Sequence, residues 1–494
     1  MATAWRYVPQ CYRDSVSLMA FSRRWAARPG ISRATAQMGT AANLALLVES
    51  GVLAEPPPPR PDDLLLVVAG EGELEPLLDE AESELRVPRK AQGQARGPAA
   101  TAPASVLEAV KADPALDLAL ISVPGDYAAG EALKALASGL DVMLFSDNVS
   151  VEQEVRLKQE ATRRGRLLLG PDCGTAILNG TPLGFANQLR RGPVGVVSAS
   201  GTGLQEVTSL LDRWGLGISQ AYGTGGRDLM EAVGGLTALA CIDRLAADPE
   251  TACLLLVAKR VGPRVREKLT ERLRTLRIPA ITCFLGDGIT LEAAAFEAFR
   301  KVRGRDPEEA PLPAPRAIPG RRHRTAGFLR GLYAGGTLCA EAAWLCARSG
   351  VEVFSNVQAE GVRPVDDVWL SRGHCFIDLG EDQFTRGRPH PMIDPTLRLA
   401  RLAEEAARRD TFRILADVVL GHGAHPDPAG VLAQAVLALP LDEEGRCPEV
   451  WACVTGTEAD PQGWSTSMRT LAMAGIRCFG SNAAMVAEAL RTLP

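Results

Sequence analysis

The stretch GPVGVVSASGTGLQEVTSLLDRWG, residues 192–215, joins three patterns without a break. Val194, Val196 and Val197 lie in an apolar run of strand type, and Leu204, Val207, Leu210 and Leu211 recur at helical spacing. The small residues between them, Ser200, Gly201, Thr202 and Gly203, therefore make a turn at a helix N-terminus. Such a terminus presents backbone N–H groups without intrahelical acceptors and the positive end of the peptide dipoles. Glycines let an oxyanion come close to that backbone, which makes these four residues candidate phosphate ligands. The rival reading is a plain helix cap by the Ser200 or Thr202 hydroxyl.

Outward from this stretch, strand-type runs recur at 64–69, 116–123, 140–145, 166–169, 252–257 and 279–285, with helical patterns at 127–138, 151–164 and 263–276. That alternation predicts an α/β fold of doubly wound parallel sheets with crossover helices. The proline-rich seam DPEEAPLPAPRAIPG at 306–320 interrupts it, and the alternation then resumes, so that three Rossmann or flavodoxin-like units are expected. Beyond the seam, GFLRGLYAGGTLCAEAAWLCARSG at 327–350 repeats the plan of the first quotation. Ala334, Gly335, Gly336 and Thr337 stand in it where residues 200–203 stood. If the two units pack as a pseudo-symmetric pair, both helix dipoles point at one anion.

Composition narrows the function classes. Lysine and arginine number 54 against 59 aspartates and glutamates, for a net charge of -5, with no basic stripe. This argues against nucleic acid or an anionic membrane as partner. No apolar stretch reaches membrane-spanning length, and the first residues lack a signal-peptide core. The 11 cysteines form no C-x-x-C pair, and several lie inside apolar runs, so a reduced, cytoplasmic protein is expected. Five histidines without ligand spacing predict no metal site.

The segments SDNVSVEQEVRLKQEA, LLGPDCGTAILNGTPLGFAN, GVVSASGTGLQEV, GTGGRDL, LYAGGTLCAEAA, IDLGEDQFTRGRPHPMIDPTLR, DVVLGHGAHPDPA and VTGTEADPQ together resemble the FdrA family. That family is similar to succinyl-CoA synthetase and related acyl-CoA synthetases. The resemblance implies an α subunit fused to the C-terminal part of a β subunit. Its expected parts are a CoA-binding-like Rossmann domain at 1–190, a first ligase-like domain at 191–305, a linker at 306–325 and a second ligase-like domain at 326–494. It also implies an oxamate carbamoyltransferase subunit, working with other subunits, in which phosphate cleaves oxalurate to oxamate and carbamoyl phosphate in ureide breakdown. Phosphate or carbamoyl phosphate then enters as substrate, and no cofactor is assigned.

Three departures from the synthetase pattern stand out. CFLGDGITLEAAAFEAF (283–299) contains no histidine where the synthetases carry a phosphohistidine. No ATP-grasp segment or P-loop is present. The nearest approach to a glycine-rich CoA turn is MGTAAN at 38–43. Two rival functions stay open: an acyl-CoA synthetase subunit that takes its nucleotide domain from another chain, and a scaffold that kept the fold without the chemistry.

The remaining candidates are loop residues. In TRGRPHPMID, Arg386 and Arg388 are expected to clamp a carboxylate or phosphate, and His390, fixed between prolines, to act as acid or base. Arg227 and Asp228 follow the Gly225-Gly226 turn, and Asp147 and Asn148 end a strand where doubly wound sheets bind ligands. The rival for Asp147 and Asp228 is a helix cap. Cys173 has no activating histidine beside it in sequence and reads as a packed small residue. His422, His425, Glu458 and Asp460 are left without assignment.

Overall fold

The run Leu64 to Val68 is apolar at every position because it is covered on both faces, and that feature hides the direction of its neighbours. In the computed structural model, which describes residues 2–9, 11, 15–26, 28–49, 51–70, 72–86, 103–385 and 388–494, the strand Arg60–Gly70 is the centre of an antiparallel three-stranded sheet. Ala2–Val8 and Ile31–Gly39 flank it. Leu64, Leu66 and Val68 pack with Leu18, Phe21 and Trp25 of helix Ser15–Ala26 and with Leu78, Ala81 and Leu85 of helix Glu75–Arg86. Leu65 and Val67 pack on the other side with Leu44 and Leu47 of helix Ala41–Glu49. Trp25 Nε1 donates to Glu84 Oε2 at 2.9 Å, tying the two helices of the first face together.

Residues 1–101 with 386–389 form one compact unit, and 102–385 with 390–494 form the other. The expected Rossmann unit at 1–190 is thereby corrected. Its first half is this antiparallel α+β module. The second half is a short parallel sheet of Leu118–Ile121, Asp141–Leu144 and Leu168–Leu169. A continuous apolar run normally marks a parallel strand, but a central antiparallel strand covered by helices on both faces gives the same pattern. The MGTAAN turn lies in the α+β module. An added Cβ on Gly39 would meet the Arg60 carbonyl at 2.7 Å, so the glycine serves close packing at a strand end.

The larger unit holds two further sheets. In the first, Ala280–Phe284, Cys253–Ala258, Arg191–Ser198 and Ile218–Gly223 run parallel in that order, and the hairpin Thr175–Leu178 and Thr181–Gly184 continues the sheet antiparallel. In the second, seven parallel strands lie in the order Arg363–Pro364, Val353–Ser355, His374–Asp378, Phe328–Tyr333, Thr411–Val419, Glu449–Thr455 and Arg477–Phe479. Among the parallel strands of each sheet the chain opens with Arg191–Ser198 or Phe328–Tyr333 and moves first to one side of that opening strand and then to the other. The turn after that strand therefore sits at a topological switch point, the place where open α/β sheets bind ligands.

One buried apolar cluster runs through both sheets, from Ile177 to Ala489, so the two halves of the larger unit share a core. The proline-rich linker is held against the second half. Arg316 N–H donates to Ala472 O at 2.8 Å, Arg321 Nη1 to Val436 O at 2.6 Å and Arg324 Nη1 to Arg408 O at 2.6 Å. The basic run at its end is thus partly a backbone clasp.

Candidate functional site

Each opening strand ends in a turn that starts a thirteen-residue helix, Gly201–Arg213 in the first sheet and Gly336–Arg348 in the second. Ser200 and Gly335 are the respective N-cap residues. The structural equivalences are therefore Ser200 with Gly335, Gly201 with Gly336 and Thr202 with Thr337. This moves the repeat by one position from its sequence alignment, because a glycine standing in for the capping serine leaves nothing to anchor the register.

The two turns meet. Ser200 Oγ and Thr337 Oγ1 are 2.5 Å apart. On the opposite diagonal, a Cβ added to Gly335 would lie 2.9 Å from Thr202 Cγ2. Each N-cap thus faces the threonine two residues into the other helix, as a local two-fold relation requires. The relation continues along the helices. Glu206 Oε1 accepts the Asn482 N–H at 3.1 Å, and Glu341 Oε1 accepts the Leu291 N–H at 2.7 Å. Those are the first helical residues of Asn482–Arg491 and Leu291–Arg303, so each glutamate caps the last helix of the other sheet. Burial pushes both carboxyls up, Glu341 to about 7.

The turns differ in what satisfies their backbone. Ser200 Oγ accepts the Gly203 N–H at 2.9 Å. Gly335 has no side chain for this, and Asp417 of the strand Thr411–Val419 accepts from Ala334 N–H at 2.9 Å and Gly335 N–H at 2.7 Å. Arg398 holds the same carboxylate at 3.2 Å. Among the described residues the N–H groups of Gly201, Thr202, Gly336 and Thr337 have no acceptor.

Charged groups from other strand ends surround the junction. Asp378 closes the strand His374–Asp378, is buried, and accepts the Gly380 N–H through Oδ1 at 2.9 Å. A Cβ on Gly336 would meet Asp378 Oδ2 at 2.3 Å and Lys259 Nζ at 3.3 Å. Desolvation pushes the Asp378 carboxyl up to about 7, against the pull of Lys259. Asp172 is raised to about 6 by desolvation and by the neighbouring Asp147 charge, again against Lys259. Neither Lys259, Asp378 nor Asp417 was singled out from sequence. Their signal is a charged residue interrupting or ending an apolar strand beside a switch point, as in LLLVAK, FIDL and ILADVV.

His390 stands beside this group. A Cβ on Gly380 would be 2.6 Å from His390 Nε2 and 3.1 Å from Asp378 Oδ1. Met392 N–H donates to His390 Nδ1 at 3.2 Å, which leaves the proton of the neutral ring on Nε2. Burial lowers its pKa to about 4. The expected acid or base is thus a neutral hydrogen-bond donor at physiological pH. Arg386 lies outside the described residues. Arg388 is exposed and falls with 386–389 in the α+β unit.

Asp228 is corrected to a scaffold role. It is buried, pairs with Lys158 at 2.8 Å, and caps the helix Leu236–Ala247 through Thr237 and Ala238 N–H. Arg227 is half exposed, donating to Val149 O at 2.7 Å and pairing with Glu154 at 2.9 Å. Asp147 and Asn148 are exposed, Asn148 with φ 55°, and Ser150 rather than Asp147 caps the next helix. Cys173 is buried with its thiol pushed up to about 12, as a packed residue. Glu458 and Asp460 accept backbone N–H groups, from Ser465 and from Gln188 and Thr457. His425 is buried with Nδ1 accepting from Asp427, and His422 holds Ala186 through its backbone. Among the described residues no helix is long and apolar enough to cross a membrane, and no cluster of three metal-ligating side chains is found.

Comparison with known proteins gives two family matches: CoA-ligase over residues 332–492, and "AllF, heavy metal-associated domain" over residues 1–102. The second name implies a soft metal, yet residues 1–102 contain one cysteine, Cys11, and no histidine, so the donor set does not fit one. YahF of Escherichia coli K12 is 40% identical over 489 residues, 95% of this chain and 94% of that one. The α subunit of the ADP-forming succinate–CoA ligase of Aquifex aeolicus is 32% identical over 173 residues, 34% of this chain and 55% of that subunit. Among solved structures, an acetyl-coenzyme A synthetase of Ca. Korarchaeum cryptofilum in complex with phosphate and ADP aligns at a TM-score of 0.30 and 15% identity, over 76% of this chain and 82% of that one.

Proposed function

We propose, from the premise that the chain belongs to the YahF family of succinyl-CoA-synthetase-like proteins, that its larger unit holds a phosphate-type anion between the two glycine turns and works on an acyl phosphate there. The observation that carries this reading is the seating of the Ser200 turn on the Gly335 turn, with the Gly201, Thr202, Gly336 and Thr337 N–H groups left without acceptors. Two helix N-termini aimed at one point stabilise an oxyanion more than either alone.

The first reading is an acid–thiol ligase subunit. The acyl phosphate would lie at the junction, its carbonyl carbon open to a CoA thiolate, with phosphate as the leaving group. The chain contains no P-loop, so the nucleotide site would come from another subunit. In this reading His390 Nε2–H serves as a fixed donor to the substrate.

A second reading is favoured by one observation: residues 285–290, after the strand Ala280–Phe284, carry no histidine, which removes the phosphohistidine relay. In carbamoyl transfer, a phosphate oxygen attacks the ureido carbonyl of oxalurate and the C–N bond breaks. The amide nitrogen then takes a proton, giving carbamoyl phosphate and oxamate. This needs an oxyanion site and a proton donor but no relay.

Calorimetric titration of the full chain and of Gly201→Val with phosphate, CoA and carbamoyl phosphate tests both. Phosphate binding in the wild type, lost in the variant, is expected under either. CoA binding selects the ligase, and carbamoyl phosphate binding without CoA selects the transferase. Phosphate binding unchanged by Gly201→Val would overturn the shared site.

A further inference from the structure

At the second helix the anion seat already has a carboxyl in it. Asp378 is 4% exposed, and Oδ1 is committed to the Gly380 N–H. Oδ2 has no hydrogen-bond partner among the described residues and stands where a side chain on Gly336 would begin, 2.3 Å from that Cβ position. Lys259 Nζ lies 3.3 Å from the same point and forms no ion pair within 4.0 Å among the described residues. A buried acceptor facing a helix N-terminus, next to an ammonium held in no close ion pair among the described residues, is a site with one charge too few for its donors and one carboxylate too many for an incoming anion.

We propose that Lys259 is a direct ligand of the bound oxyanion and that Asp378 must carry a proton when the anion binds, so that anion binding takes up a proton. This rests on the phosphate-site reading above and assigns its charged wall. Two negative groups a few ångströms apart in a desolvated site repel strongly, and the equilibrium answer is to protonate one of them. Protonated, Asp378 turns from competitor to donor, offering an O–H to the anion while the helix N–H groups and Lys259 supply the rest.

The other groups facing Asp378 do not replace that proton. Asp417 is held by Arg398 and by the Ala334 and Gly335 N–H groups, and Glu381 adds a further negative charge. His390 is neutral with Nδ1 occupied. Cys339, buried on the first turn of the same helix, has its thiol raised by burial and by Asp378 itself. Asp172 shares Lys259 with Asp378 from the first sheet. A cavity of about 200 Å³ opens at Lys259, bounded by Leu285, Trp344 and Gln358 and by the charged side chains Arg260 and Glu360.

The test is calorimetric titration of inorganic phosphate into the full chain between pH 6 and 8, in buffers of different ionisation enthalpy, for wild type, D378N and K259M. Phosphate's own second ionisation is common to all three and cancels in the ratio of affinities. The wild type is expected to lose about tenfold in affinity relative to D378N over this range, and to take up close to one more proton per phosphate than the variant at pH 8 but almost none more at pH 6. K259M is expected to bind more than tenfold more weakly at every pH. Equal pH profiles and equal proton uptake in wild type and D378N, with phosphate bound, would overturn this inference and leave the phosphate site standing. No phosphate binding by the wild type at any pH would overturn the site itself. Should D378N fail to fold, the buffer dependence of the wild-type heat and the K259M affinities decide the matter alone.

Discussion

Ser200 closes its own helix by accepting the Gly203 N–H, whereas Gly335, in the equivalent place, leaves that work to Asp417 from a neighbouring strand. The two turns share Gly201 with Gly336, Thr202 with Thr337, and the crossed glutamate caps of Glu206 and Glu341. They differ in which part of the molecule holds the backbone. The first turn is self-sufficient, and the second depends on Asp417, Arg398 and Asp378. The reason is steric: a serine at 335 would put its Cβ 2.9 Å from both Asp417 Oδ2 and Thr202 Cγ2. Only one member of a closely packed pair has room for a capping side chain.

The largest effect is expected where the second turn's dependence is cut. Asp417→Ala leaves Arg398 without its buried partner and the Ala334 and Gly335 N–H groups without an acceptor. A loss of about 3 to 5 kcal/mol is expected in denaturant unfolding. A loss under 1 kcal/mol would mean that the second turn holds itself, and the contrast would disappear. Next come matched glycine substitutions. Gly336→Ala drives a Cβ into Asp378 and should cost about 2 kcal/mol and abolish phosphate binding. Gly201→Ala meets only Thr175 Oγ1 at 3.3 Å and should change stability by about 0.5 kcal/mol. Equal losses would show that the two seats are alike.

How much of this could be read from the residues follows from which interactions are local. The helices and strands of the larger unit are encoded in short apolar periods, and both glycine turns stand out as breaks between a strand run and a helical run. The convergence of the turns was legible as a repeat, because two copies of one pattern in one chain invite a pseudo-two-fold. The register was not, since Gly335 lacks the hydroxyl that marks Ser200 as the cap. Asp378 and Asp417 are single residues on two strands and Lys259 directly follows a third, Cys253–Ala258; they are brought together only by sheet order, and no local spacing links them. The antiparallel module at the N-terminal end was hidden because burial on both faces of Leu64 to Val68 erases the alternation that reveals strand direction.

The crossed caps give a pH-dependent test of intermediate size. Glu341 is buried and its carboxyl is raised to about 7, chiefly by desolvation. In the unfolded chain it releases its proton near 4.5, so rising pH favours the unfolded state from there until the folded group also ionises near 7. The destabilisation is absent below about 4.5 and complete above about 7, at roughly 3 kcal/mol. Comparing wild type with Glu341→Gln by thermal unfolding between pH 5 and 8 isolates this group from Asp378, which drifts in the same direction, and from His390, whose lowered pKa acts oppositely. A difference between the two proteins that is flat in pH would place the charge on Glu341 throughout.

The smallest expected effect falls on the self-sufficient turn. Ser200→Ala removes the Gly203 cap and the contact to Thr337 Oγ1, and a lost N-cap costs about 1 kcal/mol. Because Thr202 and Gly335 still meet on the other diagonal, the two helix N-termini should stay together and phosphate binding should weaken by less than tenfold. A hundredfold loss of phosphate binding with unchanged unfolding stability would instead make the Ser200 hydroxyl an anion ligand. The first turn would then be the chemical half of the site, and the second, with its borrowed carboxylates, the half that positions it.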